Sequence, residues 1–527
     1  MFGGIPFLDG TTREKVDPAD IPPPTPIELP RYQPFAQDDA PVEPSESIST
    51  LLSTTGRLLA GLGPIGLTAV GVDLEVDVDV YQLIPDPVFI PDFSSWDRMT
   101  LEQSLNAHES TRQRLSNGVL SPGCHVYFER RNELSNANED AFRAVRRVQP
   151  SPGKQQARLG SSYEFFRCLE KLTMYWDDPT RAVSAPPSPE TLVDDAEARE
   201  SFEKPSEPST KTAYEAQATF GRLQAGHEMP ANLRHSVVAA FVKLIAYDFG
   251  CNVSPPRTEP RLQMRSPRRQ QPSSRKSFFP SRCQFVFQNP LTREAFRNGS
   301  VYGPVAVVSC RQDTCFMKPS LEAAQSMDLA REIIAALIAA QHRTREGKQE
   351  RRFGHNKWWS TTPRWGGGSG GPIGREVEND DIAGDKDIPP EDTEESPAQP
   401  RPIKKVRRNR AMYDNYRMVR PPAATWDRKA MYMSIGKQTG TNYDDVFLVS
   451  SLFHHISILR VRVPIRLLEV LDGAPEPDIS RRSWGKVPTW RTRWYDLFDA
   501  NDRIESMRLI WSVMAYQMRE TTGGFHT

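Results

Sequence analysis

Asp73, Glu75, Asp77 and Asp79 occupy every second position between Val72 and Val80. Carboxylates at that interval can hold a divalent cation, if other elements complete the ligand shell, or dock an arginine-rich surface. The intervening Val72, Leu74, Val76, Val78 and Val80 are apolar, and a period of two predicts a β-strand with one acidic and one apolar face. Same-face residues on a strand lie about 7 Å apart, where two like charges repel by roughly 0.6 kcal/mol in water. The row therefore requires solvent, cations or a basic neighbour. No second ligand cluster is legible, so a solvated sheet face that discourages edge-to-edge pairing is the preferred reading.

A basic neighbour is available in the sequence. Residues 456–463 alternate, with Ile458, Arg460 and Arg462 on one side and Leu459, Val461 and Val463 on the other. Placing Arg460 and Arg462 opposite Asp77 and Asp79 would join the two ends of the chain in one sheet through cross-strand ion pairs.

A second candidate is the strip 481–495. Here Arg481, Arg482, Lys486, Arg491 and Arg493 interleave with Trp484, Trp490, Trp494 and Tyr495. Basic groups neutralise phosphates and aromatic faces stack on bases. The same residue types also anchor protein cores and interfaces, which is the preferred reading. The stretch from Lys357 to Trp365 is a weaker version. Lys404, Lys405, Arg407 and Arg408, within a run of six basic residues at 401–410, have the composition of a nuclear import signal.

Other chemistry is thinly represented. His454 and His455 sit in an apolar run and read best as core histidines. Cys310 and Cys315 match no strong zinc spacing, and Tyr443-Asp444-Asp445 has no legible partner set. The chain has no phosphate-binding G-x-x-x-x-G-K-[ST], no dinucleotide G-x-G-x-x-G after a strand, no H-E-x-x-H and no G-x-S-x-G. No cofactor is expected from these residues, and catalysis is not the favoured class.

The 67 basic and 67 acidic residues cancel, so no global field draws the chain to nucleic acid or membrane. Arginine supplies 51 of the basic residues and lysine 16, favouring bidentate and stacked contacts. Six scattered cysteines without a C-x-x-C point to reduced thiols inside the cell. The apolar run 58–72 is shorter than the roughly 20 residues a spanning helix needs.

The fold class expected is α+β, helices with a sheet, interrupted by long Pro-rich and charged segments. Residues 1–48 read as a disordered Pro-rich arm. Residues 50–355 form the main α+β region, with disordered inserts near 178–212 and 254–280. Residues 361–410 form a linker that is Gly-rich, then acidic, then basic. Residues 411–520 form a C-terminal α+β region. Within these, strands are expected at 72–80, 88–90, 283–288, 304–310 and 456–463. Helices are expected at 99–116, 138–147, 161–176, 231–249 (ending at Gly250), from Ser320 to about 342, and near the C-terminus with Asp502 and Glu505 as a capping pair.

The function expected is that of a non-catalytic interaction or assembly protein, including a self-associating structural subunit, with Arg/Trp surfaces for protein or nucleic acid. Two alternatives stand beside it. One is a hydrolase or nuclease using Asp/Glu-bound divalent metal; the other is a nuclear nucleic-acid-binding protein. The compartment expected is the cell interior, nucleus or cytoplasm, with no membrane partner.

Overall fold

A computed structural model describes residues 64–175, 231–254, 260–267, 276–289, 300–311, 321–344 and 432–520 except 439, with 17–21, 24, 27, 29–32, 47, 48, 50, 51, 292 and 346. The import-like Lys404, Lys405, Arg407 and Arg408, the insert 178–212, the linker 361–410, the Lys357–Trp365 stretch and Cys315 lie outside the described residues.

The strands are β1 Val72–Glu75, β2 Cys251–Ser254, β3 Arg261–Arg265, β4 Lys276–Pro280, β5 Gln284–Gln288, β6 Val301–Cys310, β7 Tyr432–Met433, β8 Tyr443–Leu452, β9 His455–Pro464, β10 Val487–Arg491 and β11 Tyr495–Asp496. The helices are α1 Pro64–Val70, α2 Val80–Leu83, α3 Phe93–Trp96, α4 Leu101–Ala107, α5 Cys124–Leu134, α6 Asn138–Arg146, α7 Tyr163–Leu172, α8 Ala231–Ala246, α9 Leu321–Arg343, α10 Ile465–Leu471 and α11 Ala500–Gln517. The fold is α+β.

A nine-stranded mixed sheet runs β1-β10-β9-β8-β6-β5-β2, with β11 added on β9 and β7 on β6. β3 and β4 form a separate hairpin. The two regions expected from sequence thus share one sheet. The central seam is the parallel pair β6/β8, where Val307 faces Leu448 and Ser309 faces Ser450. At the far edge β1 runs parallel to β10, with Val72 opposite Val487 and Glu75 opposite Trp490.

Side-chain alternation sorts the apolar residues onto two faces. Phe447 and Val449 of β8, with Ile456 and Ile458 of β9, enter a core shared with α5, α7, α8 and α11. Val446, Leu448, Leu459, Val461 and Val463 enter a second core with α1, α9 and α10. The result is a sheet covered by helices on both sides. α9 is fitted to this place by its alanines: Ala330, Ala335, Ala336, Ala339 and Ala340 are buried beside Ile333, Leu337 and Ile338. Alanine favours helix and adds little bulk, so the axis can approach the sheet closely. Met327, near the start of the same helix, is exposed.

The acidic row is a strand only over Val72–Glu75. Asp77 then takes a left-handed φ of 56°, which aspartate tolerates better than most residues. Asp79 caps α2, accepting from the Gln82 amide while the Gln82 side chain accepts from the Asp79 amide. The D-x-x-Q spacing competed with the alternation and won. The expected strand at 88–90 is a single 3-10 turn, Pro87–Phe89, capped by Asp86. Residues 261–265 and 276–280, placed in a disordered insert from sequence, form the β3/β4 hairpin; the alternating Leu262 and Met264 are buried there against α9. Gln341 clamps the hairpin by accepting from the Gln263 amide and donating to its carbonyl. The last helix begins earlier than expected: Asp499 is the cap, accepting from the Asn501 and Asp502 amides.

Candidate functional site

The Arg/Trp strip lies in and beside β10, with part of it inside the body and part at the surface. Trp484 is buried and donates its indole N–H to the Val70 carbonyl at 2.8 Å. Arg482 donates to the Thr68 carbonyl, and Lys486 stands 3.8 Å from Asp73. Trp490 is half-buried beneath the Arg460 guanidinium, 3.6 Å from its ring centre, a cation–π contact. Arg491 is buried against Glu332. Arg493 is engaged by Asp502 and Glu505 at 2.8 and 2.6 Å, and Trp494 lies 5.1 Å from the Arg491 guanidinium. Trp484 and Arg491 therefore face the interior and cannot meet a partner at the surface; Arg481 and Arg493 are exposed.

The cross-strand pairing expected for Arg460 and Arg462 is corrected in the same way. Arg460 faces Trp490 in register, and Arg462 makes a two-pronged pair with Asp445 of β8 at 2.9 and 3.0 Å. Asp77 and Asp79 lie beyond β1. Of the acidic row, Glu75 accepts from Gln82 and Asp73 faces Lys486.

A buried charge cluster that sequence reading missed sits at the carboxyl ends of the parallel strands β6, β8 and β10. Asp328, Arg331 and Glu332 project from α9. Arg331 donates to Asp328 at 2.9 Å, to Ser309 and to Ser450; Glu332 accepts from Ser450 and from Arg491; the Tyr32 hydroxyl donates to Asp328 at 3.0 Å. Burial raises the Tyr32 hydroxyl and Glu332, whereas at Asp328 burial is outweighed by Arg331 and Arg311, which hold it below the ordinary carboxylate range. These carboxylates are occupied by guanidinium and hydroxyl donors, so the cluster acts as a charge clamp between α9 and three strands. D-x-x-R-E on a helix was the available signal, but its partners are scattered along the chain from Tyr32 to Arg491.

The described cysteines are buried. Burial pushes the Cys310 and Cys283 thiols up to about 12 and Cys168 up to about 11, which suppresses the reactive thiolate.

The β8/β9 turn carries the histidine pair. Phe453 and His454 form its tip, and Phe453 adopts a positive φ of 51°. His455 pairs in register with Asp496 of β11, and the Leu497 amide donates to the His454 carbonyl at 3.0 Å. The two rings lie 4.2 Å apart, and His454 Nε2 is 3.5 Å from Asp496 Oδ1. Burial drives the His454 imidazole down to about 2 and His455 to about 4, so both are neutral; it drives Asp496 up to about 6. His454 is buried, as expected of a core histidine, but the expected satisfaction by hydrogen bonds is not found. The Nδ1 atoms of His454 and His455 are buried without a hydrogen-bond partner among the described residues.

The segment between β1 and α5 leaves large apolar side chains in water. Tyr81 is 67% exposed, Val88 71%, and Leu101 and Leu105 of α4 are each 53%. Among the described residues no helix is long and apolar enough to cross a membrane. Comparison with known proteins finds no matching family model, no matching curated protein and no matching solved structure.

Proposed function

We propose that the protein is a non-catalytic assembly subunit that associates with further copies of itself through the apolar side chains displayed between β1 and α5. The observation that carries this reading is the exposure of Tyr81, Val88, Leu101 and Leu105. Leu101 and Leu105 stand one helical turn apart and share a face of α4. That helix opens with a capping box between Thr100 and Gln103, and its own Ser104 is buried. Large apolar side chains left in water mark contact surfaces, and their burial contributes about 25 cal/mol per Å².

A second copy is the favoured occupant because the formal net charge is zero, so two copies carry no net repulsion. The chain also contains an acidic block at 376–396, with ten carboxylates, and a basic block at 401–410, with six basic residues; two copies offer each other opposite charge.

Analytical ultracentrifugation of the full chain over a wide concentration range tests the proposal. The native chain is expected to gain mass with concentration, and Leu101→Glu combined with Leu105→Glu to weaken that association about tenfold or more. A native chain that stays monomeric throughout, or a double variant that associates as well as the native chain, would overturn it.

A further inference from the structure

We infer that His454, His455 and Asp496 form a binding site for a divalent transition-metal ion of the zinc class. The inference is independent of self-association. One ligand atom from each residue can be chosen so that all three lie within 4.8 Å of one another. Two ligands bound at about 2.0–2.1 Å to one tetrahedral zinc stand about 3.4 Å apart. The separation of His454 Nε2 from Asp496 Oδ1 is 3.5 Å, which is long for a hydrogen bond and right for two ligands of one ion.

Two further observations point to a cation. His454 is 2% exposed, and the buried Nδ1 of His455 has no partner among the described residues, which is costly unless something else meets it. Asp496 makes no ion pair with lysine or arginine among the described residues; Arg503, a nearby cation, donates instead to the Asn138 side chain and the Asn136 carbonyl.

The site is also braced from outside. Asp496 Oδ1 accepts from the Phe498 amide at 2.8 Å, and the Asp496 amide donates to Asp502. Such outer contacts fix ligand orientation. The positive φ at Phe453 places a non-glycine residue in a costly conformation at the turn that delivers both histidines. Two imidazoles and one carboxylate suit zinc, cobalt or nickel better than magnesium or calcium, which prefer all-oxygen shells.

The test uses the full chain, stripped with chelator and titrated with Zn²⁺ by calorimetry, with Co²⁺ as the spectroscopic probe and Mg²⁺ as the comparison. Expected are one saturable zinc site per chain, cobalt ligand-field bands, and no comparable magnesium binding. His455→Ala should weaken zinc about a hundredfold and Asp496→Asn about tenfold or more, while His235→Ala leaves binding unchanged. If His455→Ala does not fold, Asp496→Asn, at a partly exposed position, decides alone. Absence of a saturable site in the folded native chain, or equal affinity in native chain and variants, overturns the inference.

Discussion

Arg343, the last residue of α9, donates to Asp444 of β8 at 2.8 Å with neither side chain more than 3% exposed. Its other N–H groups reach the carbonyls of Pro304, Val305 and Asp445 and the side chain of Gln517. All five guanidinium donors are therefore matched, which is the condition under which a buried cation can be tolerated. The contact joins the half of the chain before 350 to the half after 430, at the point where the sheet itself passes from one to the other.

Removing either partner should leave an uncompensated buried charge. Arg343→Met and Asp444→Asn are each expected to destabilise the fold by about 3–5 kcal/mol. Urea denaturation of both, with the double variant, closes the cycle. A double variant as damaged as the two single losses added together would show that the pair is not coupled.

Gly436 offers an independent probe of the same region. Its φ is +82°, and a Cβ there would lie 1.6 Å from Gln517 Oε1, the atom that completes the Arg343 shell. The left-handed conformation alone costs a non-glycine residue about 1–2 kcal/mol. Gly436→Ala should exceed that cost, and Gly440→Ala, whose Cβ meets nothing nearby, should stay within it. Equal midpoints in denaturant for the two variants would contradict the packing described.

The arginines of β9 should respond to their structural partners and to no others. Arg462→Glu is expected to be partly rescued by Asp445→Arg, since those two form the two-pronged pair. Neither Asp77→Arg nor Asp79→Arg should rescue Arg460→Glu, because Arg460 lies on the Trp490 ring. Thermal melts of the paired variants distinguish the two arrangements.

Thiol chemistry tests burial directly. In a Cys315→Ser background the remaining five cysteines are all buried. A thiol reagent at mildly alkaline pH should find no fast-reacting group in the native protein and five after denaturation. A fast native thiol would place one of these residues at the surface.

Much of the secondary structure was legible because it depends on local pattern. The run Val237, Val238, Phe241, Val242, Leu244 and Ile245 announces a core helix, and Gly250 closes it in the left-handed conformation. The strands β5, β6 and β9 follow from short apolar or alternating runs. Partnership was not legible, because register is a relation between distant segments. Nothing in Val72–Glu75 says that it pairs with Val487–Trp490, and nothing in Arg460 says that it stacks on tryptophan. His454 and His455 were visible as residues; the carboxylate that meets them comes from β11, some forty positions later.

The strand order carries a consequence for biosynthesis. β8, β9 and β10, encoded late, lie between β1 and β6, encoded early. A nascent chain cannot seat β1 until residue 487 has emerged, and until then β6 presents an unpaired edge of the kind that invites aggregation. The sheet is completed only after residues 487–491 have left the ribosome. Two fragments separated between residues 346 and 432 would each hold an incomplete sheet and should acquire stable structure only when mixed.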